Sequence, residues 1–172
     1  MLVALTRNFD FRNLFLSKNI RNAPNDLTSL AGLTNLTHLT LNNGSFTDVS
    51  PLAGLTNLTN LSIFGSNIAD ITPFAGLRNL EDLRMHNNQV NDLTPLVGLT
   101  SLRLLNLHYN QVTDITPLAG LTNLSYLVLQ GNQITDITPL ASFPSSGSLW
   151  LNRNPITDWS PVDHMRWVGG RP

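Results

Sequence analysis

A 22-residue periodicity governs this chain. Leu33, Leu55, Leu77, Leu99, Leu121 and Phe143 recur at that interval, as do Pro51, Pro73, Pro95, Pro117, Pro139 and Pro161. Asp48, Asp70, Asp92, Asp114, Asp136 and Asp158 form a third column in the same register. The unit reads L-T-N-L-x-x-L-x-L-x-x-N-x-I-x-D-I-T-P-L-A-G, and six copies span residues 33–164 behind a damaged one. A unit this short cannot bury its own apolar face, so neighbouring units must stack and share one interior.

The spacing within the unit dictates how. In Leu105-Asn106-Leu107 alternate side chains leave an extended strand on opposite sides, so the leucines point inward and the residue between them outward. One strand per unit, always in the same direction, makes a parallel sheet. Asn88, Asn110, Asn132 and Asn154 close the strand, where a buried amide can satisfy turn and inter-coil backbone groups that would otherwise be orphaned. Gly44 and Ser66 break that column, which predicts looser turns in the first two full units.

After the strand comes D-I-T-P-L. Thr or Ser before Pro reads as a helix N-cap followed by Pro at the first helical position. With about six residues left before the next coil, the spacing predicts a short 3₁₀ turn rather than an α-helix. Six carboxylates stacked at roughly 5 Å repel unless each accepts local backbone N–H bonds, so the Asp column reads as structural capping. A row of calcium ions on oxygen ligands is the alternative at this point.

The ends differ from the middle. Residues 1–32 read as a degenerate repeat and partial cap, with Ile20–Asn25 adding three residues to the register. Residues 33–142 are five regular repeats, and residues 143–172 a degenerate last repeat and cap. In that last unit Ser146 stands where a core leucine belongs. The Trp159–Trp167 stretch carries enough apolar surface to lid the final coil, and Gly169–Pro172 reads as a frayed end or the start of a linker. The Met1–Arg7 start lacks the basic region and apolar length of a secretory signal.

The unit contains L-x-x-L-x-L-x-x-N, the leucine-rich-repeat signature, and the expected fold is of the α/β class: a right-handed solenoid, parallel β-sheet on the concave face and 3₁₀ turns on the convex one. Over residues 26–164 it closely resembles the repeats of the internalin family of bacterial surface proteins, as in Leu121–Leu140. Members of that family hold host-cell receptors on the concave face. The resemblance therefore implies a protein ligand of host or surface origin and a secreted or cell-surface location. The sequence shows no recognisable helical N-terminal cap, immunoglobulin-like domain or wall-anchoring segment, so invasion and wall attachment do not follow from it.

Function belongs to positions that do not repeat. Leu104, Tyr126, Val128 and Trp150 fall close together on outward strand columns, edged by His108, Tyr109 and Arg153. Aromatic residues and Arg carry most interface energy, and an exposed apolar cluster marks a contact site. The bland reading assigns Trp150 to the C-terminal lid, with Tyr126 covering it. Arg84 and His86 extend the candidate surface, while Phe64 stands apart as a second anchor or a lone exposed aromatic. His86 and His108 are neighbours on adjacent strands, too few for a metal site but suited to a pH-sensitive contact.

Composition narrows the remaining classes. There is no cysteine, the only Glu is Glu81 and the only Lys is Lys18, and no nucleophile, phosphate-cradling or metalloprotease motif is present. No enzyme activity, cofactor or metal is expected. A net charge of −1 offers no broad basic field for nucleic acid, although without the Asp column the rest is mildly basic, including Arg84, Arg103 and Arg153. No apolar run is long enough to span a bilayer. The expectation is a monomeric protein-binding module; the alternatives are a structural or regulatory spacer in a larger assembly and a carbohydrate-binding module.

Overall fold

The computed structural model describes residues 12–17 and 26–172; Met1–Arg7, Phe11 and the Ile20–Asn25 insertion lie outside them. The described chain is a solenoid with one open parallel sheet. Its strands follow sequence order: β1 (Asn13–Ser17), β2 (His38–Asn42), β3 (Asn60–Phe64), β4 (Asp82–Arg84), β5 (Leu104–Asn106), β6 (Tyr126–Val128) and β7 (Ser148–Trp150). From β2 onward each residue pairs with the one 22 places on, as His38 with Asn60 and Leu104 with Tyr126. Asn13 pairs with His38, 25 places on. Among the described residues no helix is long and apolar enough to cross a membrane.

The inward strand positions build the core. Leu39, Leu61, Leu83, Leu105, Leu127 and Leu149 lie side by side and are fully buried, as are Leu41, Ile63, Met85, Leu107, Leu129 and Leu151. Leu36, Leu58, Leu80, Leu102 and Leu124 fill the layer behind them. Each such side chain contributes about 1.5–3 kcal/mol on leaving water. Each coil returns through a 3₁₀ turn, as at Thr94–Leu96 and Thr116–Leu118.

Those turns are capped by Asp, not by the Thr or Ser before Pro. Thr72, Thr94, Thr116 and Thr138 are the first residue of their turns and make no side-chain cap. The position before them holds Ile or Leu, which the core requires and which has nothing to cap with. The task passes one residue upstream. Asp70, Asp92, Asp114 and Asp136 each accept the backbone N–H two residues on at 2.8 Å through Oδ1. Hydrogen bonds from the Thr side chain and backbone hold these four carboxyl groups below the usual carboxylate range. The carboxylates therefore spend their lone pairs within their own turns.

Two Asn columns stitch coil to coil. Asn110 Nδ2 donates to Met85 O at 2.9 Å and Leu107 O at 3.0 Å, while its Oδ1 accepts Val90 N–H at 3.0 Å. Asn88, Asn132 and Asn154 repeat the pattern. On the exposed side Asn57, Asn79 and Asn123 donate to the carbonyls of Thr34, Thr56 and Thr100 at 2.8–2.9 Å. Where the buried column fails, the structure compensates unevenly. At Gly44 the ring of Phe46 fills the missing side chain's place, 1.7 Å from where a Cβ would stand, and Ser45 joins Asn43 at positive φ (51° and 52°). At Ser66 the hydroxyl is buried without a partner.

The C-terminal end is ordered rather than frayed. Val162, Met165 and Val168 are buried against the last coil. Gly169 pairs with β7: Leu151 N–H donates to Gly169 O at 2.7 Å, and Gly169 N–H to Leu149 O at 2.9 Å. A Cβ at Gly169 would meet the Trp150 ring at 2.8 Å, and Gly170 sits at φ +99°, so both glycines are needed to dock the tail. Arg171 ion-pairs with Asp163. Ser146 is exposed, and Phe143 is buried instead.

Two outcomes follow. Asn110→Ala strands three backbone groups and lowers stability by about 1–3 kcal/mol, whereas Ser66→Asn rebuilds the ladder and raises it by about 1 kcal/mol; urea melts of both variants check this. Because native Asp92, Asp114 and Asp136 hold their protons less tightly than the unfolded chain, acid favours unfolding. Stability is full above the unfolded carboxylate pKa of about 4 and declines as pH falls through the depressed native values. The triple Asp→Asn variant at these positions gives a shallower decline in thermal melts across that range.

Candidate functional site

Because coils stack in register, equivalent outward side chains lie one strand spacing apart, about 4.8 Å. Rings at one position therefore stack along the solenoid. Phe64 and His86 do so at 4.4 Å between centroids and 14° between planes, and His86 and His108 at 4.5 Å and 7°. Phe64 thus does not stand apart: it is one end of a ladder. Tyr109 closes the other end, edge-on to His108 at 5.3 Å. Its hydroxyl accepts Arg153 Nη1 at 2.9 Å and Gln130 Nε2 at 3.2 Å, and the Arg153 guanidinium lies 5.9 Å from its ring centre.

The second cluster sits nearer the C-terminus. Register places Leu104 beside Tyr126 and Val128 beside Trp150. The Tyr126 and Trp150 rings are 4.8 Å apart. Trp150 is half-buried, because the docked tail lays Trp167 edge-on against it at 5.4 Å. The geometry bears on the lid reading. Trp150 belongs to the lid, while Tyr126 on one side and Trp167 on the other remain exposed.

Charges on the face are few. Arg84 Nε and Nη2 fork onto the two Asp82 oxygens at 2.9 and 2.8 Å, and this bond holds the guanidinium above its ordinary range. Burial pushes the His86 and His108 imidazoles down, and the neighbouring His108 and Arg84 charges push His86 further. Among the described residues no group of three or more His, Asp or Glu side chains could hold a metal ion.

A family profile described as leucine-rich repeats, two copies, matches residues 56–98 and 100–142, half of the chain. The chain belongs to the leucine-rich-repeat family. Solved structures place it further. Internalin C2 of Listeria monocytogenes is 41% identical with a TM-score of 0.76, over 83% of this chain and 65% of that one. The internalin InlF of the same organism is 32% identical with a TM-score of 0.72, over 84% and 50%. This leucine-rich-repeat chain is internalin-like, and it spans less than two thirds of either structure. The plant peptide hormone receptor RGFR1 in complex with RGF2, 20% identical, shares the fold alone, with a TM-score of 0.66 over 82% of this chain and 24% of that one. A search of curated proteins gives no match.

The leucine-rich-repeat face holds three features that sequence reasoning missed. Trp167 was assigned to the lid, yet it is 57% exposed; its place depends on how the tail docks. Phe15, 67% exposed, lies in register with Thr40 on the outward column. The third is conformational. The residue after the outward column of each of β2–β7 turns left-handed: Asn43, Gly65, Asn87, Tyr109, Gly131 and Arg153 all have φ between 52° and 70°. Gly and Asn tolerate that region, and bulky residues are strained there. The Gly/Asn alternation was the available signal, and Tyr109 and Arg153 are its two exceptions. Backbone strain of this kind costs on the order of 1–3 kcal/mol and concentrates where function holds it. Tyr109→Asn relieves it while losing ring contacts, so the melting temperature stays within a few degrees of the parent, whereas Leu107→Ala, two residues away, costs about 2–5 kcal/mol. Differential scanning calorimetry of the two variants separates these outcomes.

Proposed function

We propose that this chain is a protein-binding leucine-rich-repeat module that holds a protein partner on its concave β-face. Leucine-rich-repeat proteins commonly mediate protein binding, and the matched profile is a repeat module rather than a catalytic family. One observation carries the reading. Of the five exposed large hydrophobic residues among those described, Phe15, Tyr109, Tyr126 and Trp167 border the outward strand face, and only Val97 lies on the turn side. A surface kept merely soluble would not gather its aromatics on one face.

The contact residues are Leu104, Tyr126, Val128, Trp150, His108, Tyr109, Arg153, Arg84, His86 and Phe64. Rigid aromatic rings with few torsions lose little entropy on binding, and Tyr126 and Tyr109 are the anchors. RGFR1, a peptide hormone receptor solved in complex with RGF2, shares this fold, which supports the reading by analogy.

A photo-crosslinking residue at Tyr126, compared with one at Val97, tests the face. A single protein captured at Tyr126 and not at Val97 is expected. Titration of that purified protein against Tyr126→Ala then shows affinity falling by about tenfold or more, with an unchanged circular dichroism spectrum. Equal capture at both positions, or undiminished affinity, sinks the proposal.

A further inference from the structure

His86 and His108 stack face to face at 4.5 Å with 7° between planes, in the middle of the Phe64–His86–His108–Tyr109 ladder. Three features make this pair more than two surface histidines. The first is that Asn106 Oδ1 lies 2.7 Å from His108 Nδ1 and also accepts the His108 backbone N–H at 3.2 Å. A carbonyl oxygen there fixes the hydrogen on Nδ1 and leaves Nε2 as the site of protonation. The second is that His86 Nδ1 is buried and has no hydrogen-bond partner. Neutral His86 tolerates this with its hydrogen on Nε2, whereas the imidazolium would place a donor in a pocket without an acceptor.

The third is the charge setting. Arg84 stands on β4 with its guanidinium tied to Asp82. Tyr109 faces His108 and carries Arg153 on its hydroxyl, and Tyr126 lies beyond, on β6. Among the described residues no carboxylate hydrogen-bonds to either imidazole. Nothing therefore compensates a second positive charge in the stack.

We propose that the His86–His108 pair is a proton-operated latch of the concave face: neutral, it holds the aromatic ladder closed, and double protonation drives the two rings apart and uncovers Phe64. His108 takes the first proton at Nε2. That charge, one ring spacing away, opposes the second. When His86 does ionise, its Nδ1–H must leave the buried position to reach water, and the ring leaves the Phe64 face with it. Native His86 thus prefers the neutral form more than the unfolded chain does. The ladder is at full strength above the ordinary histidine pKa of about 6.5 and weakens as pH falls through the depressed native values.

The latch deepens the binding reading above, resting on it only for what it controls: a partner gripping the closed ladder is released on acidification. Its test uses the full chain alone, so it fails or stands separately from partner capture. In histidine and aromatic NMR spectra recorded from about pH 8 to about pH 5, the two rings titrate as a coupled pair, His86 below His108. Ring-current shifts linking Phe64 to His86 disappear with the second step while the β5 and β6 amide signals persist. His108→Gln removes the neighbouring charge and raises the His86 midpoint by about half a pH unit. His86→Phe leaves Phe64 contacts independent of pH. Independent titrations unaffected by His108→Gln overturn the proposal. So do Phe64 contacts that survive below both midpoints, or that vanish only with the amide signals.

Discussion

From β2 onward every coil closes in 22 residues, because backbone groups of one coil find their partners in the next. The buried Asn column enforces this. Asn88, Asn110, Asn132 and Asn154 each bind a carbonyl of the previous coil, a carbonyl of their own and an N–H ahead of the previous turn. An extra residue between strand and Asn would carry the amide off its partners and leave three backbone groups unpaired. The leucine interior supplies the bulk of the stabilisation; the amides decide the register in which it is delivered. Gly44 and Ser66, where the column is missing, show the effect by contrast: one coil recruits Phe46 to fill the gap and the other buries an unpartnered hydroxyl.

The same closure positions the outward strand face. After each of β2–β7 the chain turns left-handed, a conformation that strains residues bulkier than Gly or Asn. Gly and Asn meet the conformational demand at four coils. Tyr109 and Arg153 sit there against it, hydrogen-bonded to each other across two coils. A strained tyrosine is thus held in place by an arginine 44 residues away.

Much of this was legible in the sequence, and the reason is repetition. Six columns in register identify inward leucines, Asn turns and 3₁₀ returns with little ambiguity, because each copy is a separate instance of one geometry. What escaped were features that occur once. The N-cap reading of Thr is a repeated exception: the Asp column does read as capping, but the buried Ile between Asp and Thr is a tertiary demand that local preference does not show. The docking of Gly169 on β7 escapes the reading of Gly169–Pro172 as a frayed end or the start of a linker, since pairing with the last strand depends on where the sheet stops. Trp167 followed from that error. Phe64 was set apart because sequence columns give lateral neighbours but not ring orientation, and it is orientation that joins Phe64 to His86.

A solenoid places chemically unrelated positions in identical backbone settings, one strand apart. On a globular surface two histidines 22 residues apart have no fixed relation; here the register holds their rings parallel at van der Waals contact. Charge on His108 is then felt by His86. The outward columns can vary without touching the core, since Leu105 and Leu107 bury the coil whichever residues stand at 104, 106 and 108. Titration, aromatic stacking and partner contact can therefore be written into one column by substitution alone, and the interior leaves them free to change independently of the fold.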